Sequence, residues 1–131
     1  MGYRSNVAYT IRFTSDDDRL NEQTFYTFIA EAKSKDSCRA ALEQCEIDEQ
    51  KLQINYYVED TKWYDSDPHV QGHEQLLELA SDAIETYEDM NECIGYVFTR
   101  AGDNDDDNEW KAQGKYDVDW LWIRREIVKD W

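Results

Sequence analysis

Residues 52–80 read LQINYYVEDTKWYDSDPHVQGHEQLLELA. Leu52, Ile54, Tyr56 and Val58 alternate with Gln53, Asn55, Tyr57 and Glu59. A period of two among β-branched and aromatic residues predicts a strand with one buried and one wet face. Glu59-Asp60 opens a polar segment, with Trp63-Tyr64 beyond it. Asp67-Pro68 predicts a helix start. The Asp carboxylate can accept from the free N–H groups of the first turn, and Pro at the first helical position has no N–H to lose. From there Val70, His73, Leu77, Ala80, Ile84 and Tyr87 recur at helical spacing, with Leu76 and Ala83 beside them. The opposite face carries Glu74, Glu78, Asp82, Glu85, Asp89 and, if the helix reaches it, Glu92. Gly72 lowers helix propensity by about 1 kcal/mol relative to Ala and marks a kink or a close contact.

Outward from this stretch, the N-terminal side supplies a strand and two helices. Val7, Tyr9, Ile11 and Phe13 share one face of a strand over residues 3–14; Ala8, Thr10 and Arg12 share the other. Ser15-Asp16-Asp17-Asp18 has the cap chemistry and negative charge of a helix N-terminus. Phe25, Phe28, Ile29 and Ala32 follow at core spacing, to an end near Lys33-Ser34-Lys35. Asp36-Ser37 starts a short second helix with Cys38, Ala41, Leu42 and Cys45 inward. Ile47 anchors its exit.

On the C-terminal side, residues 93–100 (CIGYVFTR) are apolar on both faces, which predicts a strand inside the sheet. Residues 101–114 (AGDNDDDNEWKAQG) predict a polar loop or wide hairpin. Residues 116–128 (YDVDWLWIRREIV) predict the last strand, with a bulge or strand end where the alternation blurs at Leu121 and Ile123. The expected order is β-α-α-β-α-β-β. This is an α+β fold, a small, mostly antiparallel sheet with helices on one face, in one domain spanning residues 1–131.

The chain carries 40% hydrophobic and 14% aromatic residues, too many for a disordered acidic tail. No apolar run approaches the roughly 18 residues of a membrane span. Met1-Gly2-Tyr3-Arg4 leads straight into a strand, without the pattern of a signal peptide. Asn6 stands where a myristoylation signal wants Ser or Thr. Cys38, Cys45 and Cys93 are an odd set without metal spacing, which suits a reducing cytosol. Cys38 and Cys45 are about 10 Å apart along a helix, too far for a disulfide.

The formal net charge is −16. Residues 1–14 carry +2, residues 15–60 carry −7, residues 61–101 carry −7 and residues 102–131 carry −4. Acid is thus spread over the body of the chain. Such a field disfavours nucleic acid and anionic membranes and favours basic partners.

Three constellations could carry function. His69 and His73, at i and i+4, have a spacing that can hold one metal, with Asp65 as a further oxygen. The helical glutamate of HExxH is missing, and Val70, Gln71 and Gly72 stand between the histidines. Asp103, Asn104, Asp105, Asp106, Asp107, Asn108 and Glu109 resemble the start of a calcium loop. Asn108 and Gly114 occupy the positions where an EF-hand needs Gly and Glu. No GxSxG, Gly-rich phosphate loop or Cys with a His base is present, so no catalytic residues are expected. No cofactor is expected either.

The third constellation is the acidic helix face. Like charges at i, i+4 destabilise a helix slightly, and no Lys or Arg occurs between Lys62 and Arg100. Six acids from Glu74 to Glu92 cover about 27 Å of axis, against about 16 charges on the same length of duplex DNA. Mimicry of a phosphate backbone therefore also needs the 103–109 loop on the same side, with Glu43, Glu46, Asp48 and Glu49 as further candidates. Tyr57, Trp63, Tyr64, Trp110 and Trp131 add aromatic anchors of the kind common in protein interfaces.

MGYRSNVAYTI, KWYDSDPHVQGHEQLLELA and the acidic loop before the last strand resemble a group of small proteins of tailed bacteriophages. These open MGYRS and carry a WY-D-x-x-P-x-V-x-x-H segment, matched here by Trp63, Tyr64, Asp65, Pro68, Val70 and His73. The resemblance implies expression in the cytoplasm of an infected bacterium and carries over no activity. The leading expectation is a non-enzymatic accessory protein that binds a host protein with a basic, nucleic-acid-binding surface. Its expected contacts are Glu74, Glu78, Asp82, Glu85, Asp89, Asp103, Asp105, Asp106, Asp107, Glu109, Trp63, Tyr64 and Trp110. The alternatives are a metal-binding protein or metal-dependent enzyme at Asp65, His69 and His73, and a structural homo-oligomer built through the sheet edge or Trp131.

Overall fold

The computed structural model describes residues 4–64, 66–86, 93–102, 108–117, 120–123 and 127–129. The described elements run β1 (Arg4–Phe13), α1 (Asp18–Lys33), α2 (Asp36–Glu43), β2 (Glu46–Asp48), β3 (Gln53–Lys62), α3 (Pro68–Thr86), β4 (Ile94–Ala101), β5 (Asn108–Gly114), β6 (Leu121–Ile123) and β7 (Ile127–Lys129). The fold is α+β. A five-stranded sheet in the order β2-β3-β1-β4-β5 is antiparallel throughout, and β6 and β7 form a separate two-stranded sheet.

β1 lies at the centre because both of its faces are apolar enough to be covered. Val7, Tyr9, Ile11 and Phe13 meet Ile54, Tyr56, Ile94, Tyr96 and Phe98 from the neighbouring strands under the helices. Phe25, Phe28, Leu42, Leu76 and Ile84 close this core from above. On the opposite face Ala8, Val97 and Ala101 pack against Trp120, Leu121 and Ile127 of the β6–β7 segment. The helices therefore share one side of the sheet, and the small hairpin covers part of the other.

Local chemistry sets the helix starts. Asp17 Oδ1 accepts from Arg19 N at 3.0 Å and Leu20 N at 3.2 Å. Asp17→Ala is expected to lower stability by about 1 kcal/mol in urea unfolding. Asp18→Ala, inside the first turn, is expected to change it much less. Asp67 caps α3 in the same way, accepting from His69 N at 3.0 Å, with Pro68 as the first helical residue. Gly72 marks a close contact between helices. A Cβ there would sit 2.9 Å from the carbonyl oxygen of Ser37 at the start of α2.

The structure corrects several sequence expectations. The strand expected from Leu52 starts at Gln53, because Leu52 takes a left-handed φ of 56°. It also runs on through the polar Glu59-Asp60 to Lys62. A register shift between Ser5 and Val7 accommodates Asp60, whose φ is 53° and whose N–H donates to Asn6 Oδ1 at 2.9 Å. The wet face of β3 is not wet at Asn55. This residue is buried and accepts from Thr10 Oγ1 at 2.6 Å.

Of the two readings for residues 101–114, a polar loop or a wide hairpin, the hairpin holds: β5 pairs antiparallel with β4 and forms the edge strand. Among the described residues only one edge of β5 pairs with a strand, so a polar sequence suffices there. Within the expected last strand over 116–128, the described residues form two short strands: β6 ends at Ile123, in the region of the expected bulge or strand end, and pairs antiparallel with β7. β2 was also not foreseen as a strand. Among the described residues, no helix is long and apolar enough to cross a membrane.

Candidate functional site

The segment from Trp63 into the first turns of α3 meets β1, β3 and α2 around one buried imidazole. His73 is fully buried. Its Nδ1 lies 2.6 Å from Tyr9 Oη of β1, and its Nε2 lies 2.8 Å from Gln44 Oε1 at the end of α2. An amide oxygen only accepts, so Nε2 carries the proton and Nδ1 accepts from the tyrosine. The Cys45 thiol lies 3.3 Å from Tyr9 Oη and 3.4 Å from the Ala41 carbonyl oxygen, sharing its one proton between them.

Aromatic rings enclose this polar chain. The Tyr56 ring centroid is 4.0 Å from that of His73, Trp63 is at 5.7 Å, and His69 meets His73 edge-on at 5.2 Å. Trp63 is half-buried, and Tyr64 beside it is exposed.

Burial sets the electrostatics. It pulls His73 down to about 4, with the neighbouring His69 as a smaller cause. It pushes the Cys45 thiol up to about 11 and Tyr56 up to about 12. At neutral pH His73 is thus an uncharged imidazole with both nitrogens engaged, and Cys45 is a thiol rather than a nucleophilic thiolate. The cluster ties three elements together and offers no free base to a substrate. A metal at His73 would have to displace Tyr9 or Gln44. Asp65 lies outside the described residues. Among the described residues, no group of three or more His, Cys, Asp and Glu could hold a metal.

The acidic face of α3 is a second feature. Glu78, Asp82 and Glu85 are exposed, whereas Glu74 is half-buried and has an interaction partner. Glu85 also accepts from Gln113 Nε2 of β5 at 3.3 Å. Gln113 in turn accepts from Ser81 Oγ at 2.7 Å and Tyr96 Oη at 3.3 Å. The last turns of α3 are thereby fastened over the β4–β5 edge. Comparisons with protein-family models, curated proteins and solved structures find no match.

The sheet order decides which other predicted residues share that side. Glu109 pairs across from Arg100, Lys111 from Phe98 and Gln113 from Tyr96, so all three face the helix side. Arg100 Nε donates to Glu109 at 3.5 Å, and the Lys111 ammonium lies 4.9 Å from the Phe98 ring centroid.

Trp110 pairs across from Thr99 and faces the other side. It lies edge-on to Tyr116 at 6.0 Å and donates from Nε1 to the Leu121 carbonyl at 3.3 Å. Trp110 is therefore separated by the sheet from Trp63 and the α3 acids, and the expected single acidic and aromatic surface divides in two. Glu46 and Asp48 sit on β2, the edge opposite β5. Asp89, Asp103, Asp105, Asp106, Asp107 and Trp131 lie outside the described residues.

Sequence reasoning singled out neither Tyr9 nor Gln44 as a partner of His73, and it passed over Tyr116. Tyr9 and Gln44 stand 64 and 29 positions from His73, beyond any local motif. Tyr116 is 42% exposed, and the sequence offered it only as the first residue of the expected last strand.

Proposed function

We propose that this chain is a non-enzymatic accessory protein of a phage that binds a host protein through the acidic face of α3. The observation that carries the reading is the exposed row of Glu78, Asp82 and Glu85, in a stretch with no Lys or Arg from residue 63 to residue 99. Its complement is a basic surface, such as one that otherwise holds nucleic acid. The net charge of −16 steers such an encounter. Tyr64, exposed before the start of α3, and Trp63 beside it supply the aromatic contact. The engaged nitrogens of His73 and the protonated Cys45 support a role without catalysis.

The test is affinity capture of host proteins from bacterial lysate, eluted with a salt gradient and identified by mass spectrometry. A nucleic-acid-binding protein leaving at intermediate salt is expected. The double variant Glu78→Gln, Asp82→Asn, which leaves the Glu85–Gln113 contact in place, should weaken that complex severalfold while unfolding as the parent does. Capture that ignores both salt and the double substitution would remove the acidic face from the reading.

A further inference from the structure

The outer edge of β5 pairs with no strand among the described residues, since β5 ends the sheet order. Such an edge presents a row of backbone donors and acceptors. Its side chains restrict what can pair with it. Residues 108–114 read NEWKAQG, with Glu109 and Lys111 on the helix side and Trp110 between them on the hairpin side. Trp110 is 43% exposed and Tyr116, its ring partner, 42%.

A second copy that keeps its helices on the same side of a shared sheet must align antiparallel, with like-facing residues opposite one another. The twofold axis then passes through a single residue position. Centring on Lys111 sets lysine against lysine, and centring on Glu109 sets glutamate against glutamate. Centring on Trp110 sets each Glu109 opposite the other copy's Lys111, twice by symmetry. It also brings the two Trp110 rings side by side on the hairpin face, flanked by Tyr116. Opposite charges and aromatic rings directly across an antiparallel pair are the favourable combinations.

We propose that β5 pairs with the β5 of a second copy in this register, giving a twofold dimer with one continuous sheet. The proposal is independent of the host-binding reading, because the pairing edge is distinct from the exposed face of α3.

The test uses the full chain, with mass measured by light scattering and sedimentation over a concentration series. The parent is expected to approach twice 15.6 kDa as concentration rises. Lys111→Glu makes both cross-strand pairs acidic, and Glu109→Lys makes both basic. Each variant alone should self-associate roughly ten- to a hundredfold more weakly. Mixing them restores Glu opposite Lys at both positions, so the mixture should dimerise although neither component does. Recovery in the mixture also shows that both variants are folded. A parent that stays monomeric overturns the proposal. So does a parent dimer that survives either substitution, or a mixture that fails to associate.

Discussion

Gly95→Ala is expected to destabilise the protein by about 3 kcal/mol or more, lowering the thermal midpoint by about 10 °C or more. Gly95 on β4 lies directly opposite Gly114 on β5. A Cβ on Gly95 would fall 1.9 Å from the Lys115 carbonyl oxygen, 2.3 Å from its carbon and 2.8 Å from Tyr116 N. All three are backbone atoms, so no side-chain rotation relieves the overlap.

The chain cannot simply retreat there. Lys115 N donates to Ile94 O at 2.9 Å, and Gly114 holds a left-handed φ of +76°. Moving the 115–116 backbone breaks that bond and loosens the end of β5. Gly72→Ala provides the comparison, since its nearest contact is at 2.9 Å and alanine restores about 1 kcal/mol of helix propensity. Thermal unfolding of the two variants should rank Gly95→Ala far below Gly72→Ala. Equal midpoints would mean that the crossing of Lys115 over Gly95 does not constrain the fold.

Replacing His73 by Leu is expected to cost about 2–4 kcal/mol at pH 7, because the Tyr9 hydroxyl and the Gln44 amide lose their partner in a buried site. The pH dependence is more diagnostic. Burial favours the neutral imidazole, so the folded value is about 4, whereas an unfolded histidine titrates near 6.5. Between these values the unfolded chain binds the extra proton. His73 therefore contributes its full stabilisation above pH 6.5, loses it progressively as pH falls, and contributes none of it below pH 4. The amount is about 3 kcal/mol. The leucine variant lacks this term. Urea midpoints of the two proteins should be well separated at pH 7 and converge toward pH 4. A gap that stays constant across that range would contradict a buried neutral His73 linked to folding.

Much of the helical side was legible because its signals are local. Asp17 and Asp67-Pro68 act within one turn of themselves, and the apolar spacing of Phe25, Phe28, Leu76 and Ile84 needs only the helical period. The central strands were legible for a similar reason, since the alternation in β1 and the two-sided apolarity of β4 follow from burial. The edges were harder to read. Among the described residues only one neighbour pairs with β5, and such a strand needs few apolar residues, so residues 108–114 read as a loop or wide hairpin without a defined strand. The β6–β7 hairpin was hidden because Trp120, Leu121 and Ile127 bury themselves against a distant sheet face, not along one regular strand.

At the candidate site, the sequence marked Trp63, Tyr64, Asp65, Pro68, Val70 and His73 as one segment. It did not show that Tyr9 and Gln44 complete it, because that depends on how β1 and α2 are brought over α3. It placed Trp110 with the acids by composition. Only the pairing of Trp110 with Thr99 reveals that it faces away from them.

The central position of β1 has a consequence for how the chain emerges from a ribosome. β1 is translated before every strand that pairs with it. β3 begins at Gln53 and β4 ends at Ala101, so one side of β1 waits for the first and the other side for the second. At about 5–20 residues per second, the nascent β1 keeps at least one unpaired edge for on the order of 5–20 s. Val7, Tyr9, Ile11 and Phe13 are without their final neighbours over that interval. The acids of the 15–60 segment, already synthesised beside them, then act as an intrinsic solubiliser of the unfinished chain.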